Sequence, residues 1–315
     1  MIKLTDFKQL FTPNDTRFGN GLYADLPDLM AMRRYVPIMR LNRSRQSYAP
    51  DSGGIRSAFK GRGIEMEEIR EYQFGDDVRD IDWRVTARMN EPFTKIYTQE
   101  RNREVYVWLD ISPVMQFGSH QELKSVTAAK ITAFLAWMAL ANHDRFGCII
   151  FDGQKSYLLK SGNDRAYIAA ICKKISDLSQ KALNNTINDA EAFAKSIKLL
   201  QRQAKRNGSV FIVSSMLFWG DSQNSELAHL AHKGDLYLVN IYDKLEREAP
   251  PAGQYKAQFG SDNLVFDSYD KNFVKAYREY FVTKNNEIEN YCRQIGGKYI
   301  DFSQNSSFIG NLKIF

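Results

Sequence analysis

The triplet Asp110-Ile111-Ser112 sets a carboxylate and a hydroxyl two residues apart at the end of an apolar run, where both can aim at one point. Such oxygens suit a hard cation: Mg²⁺ takes six oxygen ligands, waters among them, at about 2.0–2.1 Å. A complete site of this type reads Asp-x-Ser-x-Ser, with a Thr and a second Asp supplied by later loops. Here Val114 stands at the third position, Thr186 follows in Asn184-Asn185-Thr186, and Ser214-Ser215-Met216 occupies the place of the second Asp. Asp110, Ser112 and Thr186 therefore define a degenerate metal site, expected to be weak or empty, with Mg²⁺ doubtful as a cofactor. The same Asp110 and Ser112 could simply cap backbone groups at the turn.

The densest run of chemistry-bearing residues is 61–88. Carboxylates at Glu65, Glu67, Glu68, Glu71, Asp76, Asp77, Asp80 and Asp82 alternate with Arg62, Arg70, Arg79, Arg84 and Arg88. Guanidinium groups meet carboxylates bidentately, so the expected use is an intramolecular ion-pair network. A hydrolase built on Asp80-x-Asp82 is disfavoured by the neighbouring arginines. Glu226, His229 and His232 share a helix face, but a two-metal site needs a second Glu-x-x-His, which the sequence lacks. There is no phosphate-cradling Gly-x-x-x-x-Gly-Lys-Ser/Thr run and no Gly-x-Ser-x-Gly elbow. Gly19-x-Gly21-x-x-Ala24 follows no strand signal. The chain is expected not to be an enzyme.

The elements that must position these residues read clearly from residue 104 onward. Apolar, β-branched runs at 104–110, 145–151, 156–160, 209–214, 236–242 and 298–302 alternate with helical periodicity at 121–142, 164–178, 189–206, 225–232 and 270–296. This alternation predicts a doubly wound α/β domain with a mostly parallel sheet over 104–315. Residues 1–103 read as a smaller N-terminal part: an amphipathic helix at 29–41, a Gly/Ser-rich basic loop at 51–62, and a β-rich hairpin over 63–103 turning at Gly75-Asp76-Asp77.

Composition bounds the partners. The 315 residues are 43% hydrophobic and 25% charged, as in ordinary globular proteins. Three scattered cysteines, Cys148, Cys172 and Cys292, suit a reducing compartment better than a disulfide framework. The longest apolar run, 131–141, is well short of the ~20 residues of a membrane span, and no leader pattern opens the chain; a cytoplasmic location is expected. Net charge is only +6, too sparse for a dedicated nucleic-acid binder. Ten Lys/Arg against five Asp/Glu in the first 60 residues place much of the excess at the front.

These residues together resemble the family catalogued as domain of unknown function 58. The resemblance is carried by Phe59-Lys60-Gly61-Arg62-Gly63, by Arg70-x-Tyr72-x-x-Gly75-Asp76-Asp77-x-Arg79-x-Ile81-Asp82-Trp83, by Ala87-Arg88 and Glu100, and by Leu109-Asp110-Ile111-Ser112 leading to Met115 and Phe117-Gly118-Ser119. It implies a von Willebrand factor A-like domain behind a smaller β-rich segment. It also implies an adaptor or chaperone-like role beside a MoxR-type AAA+ ATPase, with membrane-anchored von Willebrand A-like proteins as further candidate partners. Arg70, Tyr72, Asp76, Asp77, Arg79, Asp82, Trp83, Arg88 and Glu100 are then interaction or structural signature residues. Val114 and Ser215 depart from the metal-site pattern the family often keeps. The alternative is a nucleic-acid or anionic-surface binder using Arg33–Arg45 and Arg56–Arg62 with Tyr35 and Tyr48.

Overall fold

Strand Glu104–Asp110 (β3) is buried at every residue, yet its side chains sort by parity. Val105, Val107 and Leu109 enter one apolar cluster, while Tyr106 and Trp108 enter another. An apolar run with no polar face is what a strand needs when helices cover both sides of its sheet. In the computed structural model, which describes residues 21–38, 64–99, 103–119, 121–216, 219–220, 223–259 and 262–304, β3 sits in the middle of a six-stranded sheet. The chain divides into two units, 43–102 and the remainder, each described by itself.

In the larger unit, β3 pairs in parallel with β4 (Arg145–Phe151) on one side and β6 (Ser209–Ser214) on the other. Beyond β6 lie β7 (Asp235–Tyr242) and β10 (Lys298–Ser303), both parallel; beyond β4 lies β5 (Ser156–Gly162), the antiparallel edge reached through the Asp152-Gly153 turn. The spatial order β10-β7-β6-β3-β4-β5 winds outward in both directions from β3 and β6. The doubly wound, mostly parallel α/β fold is thus the one expected, and its order reverses between β3 and β6.

Helices α3 (Lys124–Ala141) and α4 (Arg165–Ala182) cover one face; α5 (Ala190–Gln203), α6 (Asn224–Lys233) and α8 (Lys271–Gln294) contribute to the cluster on the other. On that second face Trp108 meets Phe193 and Trp219 edge-on and donates its indole N–H to Ser196 Oγ at 3.1 Å. The middle of α3 is buried on all sides, from Ile131 to Ala139. The reason lies at the front of the chain. Helix α1 (Leu26–Ala31), opened by Pro27, runs into a 3-10 stretch, Met32–Ile38, and both contact α3. Leu29 and Met32 join the core, and Trp137 donates its N–H to the Leu29 carbonyl at 3.1 Å. The expectation that this helix groups with the β-rich segment is therefore corrected: the boundary at 103 cuts through one core. Of the expected helix 29–41, the α-helical part ends at Ala31 and the stretch to Ile38 is 3-10; residues 39–41 lie outside the described residues.

A two-stranded hairpin, β8 (Gln254–Phe259) with β9 (Asp262–Asp267), and the short α7 (Lys244–Arg247) were not legible in the sequence. In the smaller unit, β1 (Ile64–Glu71) pairs antiparallel with β2 (Phe93–Gln99), but the turn at Gly75 does not join them directly. A 3-10 turn (Val78–Asp80) and helix α2 (Trp83–Met89) intervene, the latter capped by Asp82 and ended by Asn90 in the left-handed conformation. No helix among the described residues is long and apolar enough to cross a membrane.

Cys148, Cys172 and Cys292 are all free and buried. Burial raises each thiol, Cys172 to about 12 and Cys292 to about 11, with Cys148 pushed higher still. Since only the thiolate reacts, Ellman's reagent at neutral pH should modify none of the three in the folded protein and all three in guanidinium chloride. A rapidly labelled native thiol would contradict the burial.

Candidate functional site

Open α/β sheets bind ligands beyond the carboxyl ends of their strands, where strand order reverses. Here that corner is formed by Asp110 at the end of β3 and Ser214 at the end of β6. Asp110 is buried. Its Oδ1 accepts the Ser112 N–H at 2.9 Å and its Oδ2 accepts the Ser214 hydroxyl at 2.6 Å. Desolvation raises the Asp110 pKa, opposed by these hydrogen bonds and more weakly by Lys124. From Ser214 the hydrogen bonding continues along the strand ends: Ser215 N–H faces Met115 Sδ, Met216 N–H donates to Asn240 Oδ1, and Asn240 Nδ2 donates to Asp301.

Of the three residues proposed for a metal, Asp110 and Ser112 come together and are buried, whereas Thr186 is exposed in the loop between α4 and α5. That loop is held at Gly153, whose carbonyl accepts Asp189 N–H. Gly153 has φ +100°, and a Cβ there would come within 2.5 Å of the Ile187 carbonyl oxygen, so the approach requires glycine. The donor set does not fit an octahedral cation. It offers one carboxylate with both oxygens already hydrogen-bonded, and Val114 packs against the core in the place of a hydroxyl. The Ser215 hydroxyl is buried without a partner, but one hydroxyl is not a cage. Among the described residues no group of three His, Cys, Asp or Glu side chains could hold a metal. His229 and His232 are exposed on α6.

A second polar cluster beside this corner escaped sequence reasoning. Asp243, fully buried after β7, accepts the Ser119 N–H at 2.8 Å, the Ser119 hydroxyl at 2.6 Å and Leu245 N–H at 2.7 Å. Glu246 closes the capping box by accepting Asp243 N–H, and its other oxygen pairs at 2.5 Å with Lys124 Nζ. Lys124 is 1% exposed. An Asp-x-x-Glu following a buried strand is the signal that could have found it. The network fastens the loop after β3 to the loop after β7, fixing the rim around Asp110.

In the smaller unit, Arg70, Tyr72 and Asp76 form one knot: Arg70 pairs with Asp76 Oδ1 at 2.9 Å, Gln73 N–H donates to Oδ2, and the Tyr72 hydroxyl donates to the Asp76 carbonyl. Asp77 accepts Arg79 N–H, and Asp82 accepts Arg84 and Val85 N–H while pairing with Lys95 at 3.3 Å. The Val85 hydrogen bond first, then Lys95, hold the Asp82 carboxyl below its ordinary range despite opposing desolvation. Among the described residues the expected ion pairing is present at Arg70–Asp76, while Asp77 and Asp82 turn to backbone N–H groups. Aspartates placed at turns and helix starts satisfy backbone N–H groups. Arg79, Arg84 and Arg88 are exposed with no ion pair among the described residues, and Trp83 is exposed beside them. Glu100 lies outside the described residues, as do the loop 51–62 and the side chains of Glu65, Glu67 and Glu68.

Two stability measurements test this geometry. The native Asp110 carboxyl holds its proton more tightly than the unfolded chain, where 3.8 applies, so ionising it costs stability as pH rises. Asp110→Asn should therefore gain on the wild type in thermal stability as pH rises above about 4; a pH-independent difference would refute the assignment. Glu246→Gln leaves a buried ammonium without its counter-charge and should cost about 3 kcal/mol in urea unfolding. A loss near zero would mean that water reaches Lys124 Nζ.

An uncharacterized protein of Mycobacterium tuberculosis (strain ATCC 25618 / H37Rv) and its counterpart in Mycobacterium bovis are each 26% identical over 205 residues, 65% of this chain. The match spans 63% of the length of these relatives. Among solved structures, the conserved hypothetical protein BatB from Bacteroides thetaiotaomicron aligns with TM-score 0.45 and 16% identity over 67% of this chain and 95% of its own. An aerotolerance-related membrane protein from Bacteroides fragilis aligns with TM-score 0.41 and 14% identity, covering 67% of this chain and 96% of its own. A von Willebrand factor type A structure from Catenulispora acidiphila gives TM-score 0.30 and 12% identity over 48% and 35%. Residues 68–287, from the Arg70 knot through the Asp110 corner into α8, match the family described as protein of unknown function DUF58, and the chain belongs to it.

Proposed function

We propose that this chain is a non-catalytic interaction module, an adaptor that helps a MoxR-type AAA+ ATPase assemble or mature a protein complex in the cytoplasm. The observation that carries the reading is the Asp110 corner. At the point where an open α/β sheet offers its ligand site, the one carboxylate is saturated by Ser112 and Ser214 from within the fold. A corner built this way contributes shape and a fixed rim to recognition, and a divalent ion is not part of it. The ATPase is proposed from the resemblance of the signature residues to the family; membrane-anchored von Willebrand A-like proteins are further proposed partners on the same ground.

A second reading has one observation in its favour. A groove of about 520 Å³ on the larger unit is lined by Arg33, Arg34 and Arg165 over Pro27, Met30 and Trp137. It suits an anionic group on an apolar body, in line with binding to an anionic surface. The modest net charge weighs against it.

Size-exclusion chromatography of the whole chain with the MoxR-type ATPase of the same genome, without nucleotide and with ADP or a non-hydrolysable ATP analogue, tests the first reading. Co-elution in at least one state, or an altered ATPase turnover, is expected, and chelation by EDTA should leave it unchanged. No complex and no change in turnover in any state would refute the reading.

A further inference from the structure

We infer that the outward face of α2, with Trp83 and the arginines Arg79, Arg84 and Arg88, is a docking site for an acidic segment of a partner protein, one that carries two or more carboxylates around an apolar anchor. This rests on the interaction-module reading and specifies the chemistry of the partner.

The segment 70–95 separates its charges by job. Asp76, Asp77 and Asp82 each accept backbone N–H groups, and the cations drawn into pairs are Arg70 and Lys95. The remaining guanidinium groups, on Arg79, Arg84 and Arg88, point outward without an ion pair among the described residues. On a helix, residues four apart stack on one stripe. Trp83 with Ala87, and Arg84 with Arg88, are two such adjacent stripes, all four residues exposed, while Val85 and Thr86 turn inward and Thr86 Oγ1 holds Phe93 N–H. Trp83 is 66% exposed, an apolar ring left open beside the Arg84–Arg88 stripe. Tryptophan and arginine at the centre of a patch are the side chains that most often carry binding energy at interfaces.

Two features decide for an acidic polypeptide. First, Arg84 and Arg88 stand about 6 Å apart along the helix axis, a spacing that carboxylates at i and i+4 of a helix, or i and i+2 of a strand, can match with bidentate pairs. Second, Asp77 and Glu91 are also exposed, within three residues of Arg79 and Arg88 along the chain. A continuous phosphate backbone or a charged bilayer would meet these like charges at close range. A discrete peptide can set its carboxylates on the guanidinium groups and its apolar residue on Trp83.

The test is selection of a random-peptide display library on the whole chain, followed by fluorescence polarisation of the best synthetic peptides against the wild type and its variants. Enriched peptides should hold at least two Asp/Glu residues and a large apolar one. Arg84→Glu/Arg88→Glu should weaken them by about tenfold or more, Trp83→Ala should weaken them, and binding should fall with salt. Arg84→Lys/Arg88→Lys, which keeps charge but not the bidentate fork, should retain part of the affinity, and unchanged melting curves would show that the variants fold. The inference is overturned if no acidic peptide is enriched, or if the charge-reversed but folded variant binds as the wild type does. It is equally overturned if single-stranded DNA or phosphatidylglycerol vesicles bind more tightly than any peptide and are lost with the same arginines. A complex with the ATPase that survives Arg84→Glu/Arg88→Glu would remove this site while leaving the adaptor reading standing.

Discussion

A carboxylate buried where a sheet reverses its winding must be satisfied by something, and at Asp110 the fold itself supplies the donors. A buried, unpaired acid would be costly; Ser112 and Ser214 meet both oxygens from the two strands that flank the reversal. Because one donor ends β6 and the other lies just past β3, the same bonds that settle the charge also fix the end of one strand against the loop that follows the other. The buried Lys124–Glu246 pair and the Asp243 cap extend this principle to the next pair of loops. The upper end of the domain is therefore tied together by its own side chains, with the Ser215 hydroxyl left over.

The smaller unit follows the opposite course. Asp76, Asp77 and Asp82 serve turns and helix starts, and the guanidinium groups of Arg79, Arg84 and Arg88 are left facing water. A stretch that looks electrically balanced when residues are counted is unbalanced once each side chain's partner is known. Backbone N–H groups at turns compete with arginine for the same carboxylates, and the short Asp side chain favours the nearby backbone.

Much of the fold was legible because alternating strand and helix periods are long and regular beyond residue 104, and strands 104–110, 145–151 and 209–214 fall where β-branched runs predict them. Asp110 and Ser112 were legible as a pair, since their spacing at a strand end permits little else. Thr186 was not, because which way an exposed loop turns is decided by a contact at Gly153, more than thirty residues away in sequence. Helix α2 was hidden for a local reason: seven residues with two arginines and a Trp show no apolar stripe, and only the Asp82 cap marks the start. The Lys124–Glu246 pair joins residues 122 positions apart, a separation no spacing rule reaches.

The N-terminal helix has a practical side. Leu29 and Met32 wall the outer side of α3, and the Leu29 carbonyl holds the Trp137 indole. A fragment begun at residue 104, where the periodicity invites a cut, would strip that wall and bare an Ala- and Trp-lined flank. Such a fragment would adhere to whatever apolar surface it met, so partners caught with it would report on the missing helix instead of on the native molecule.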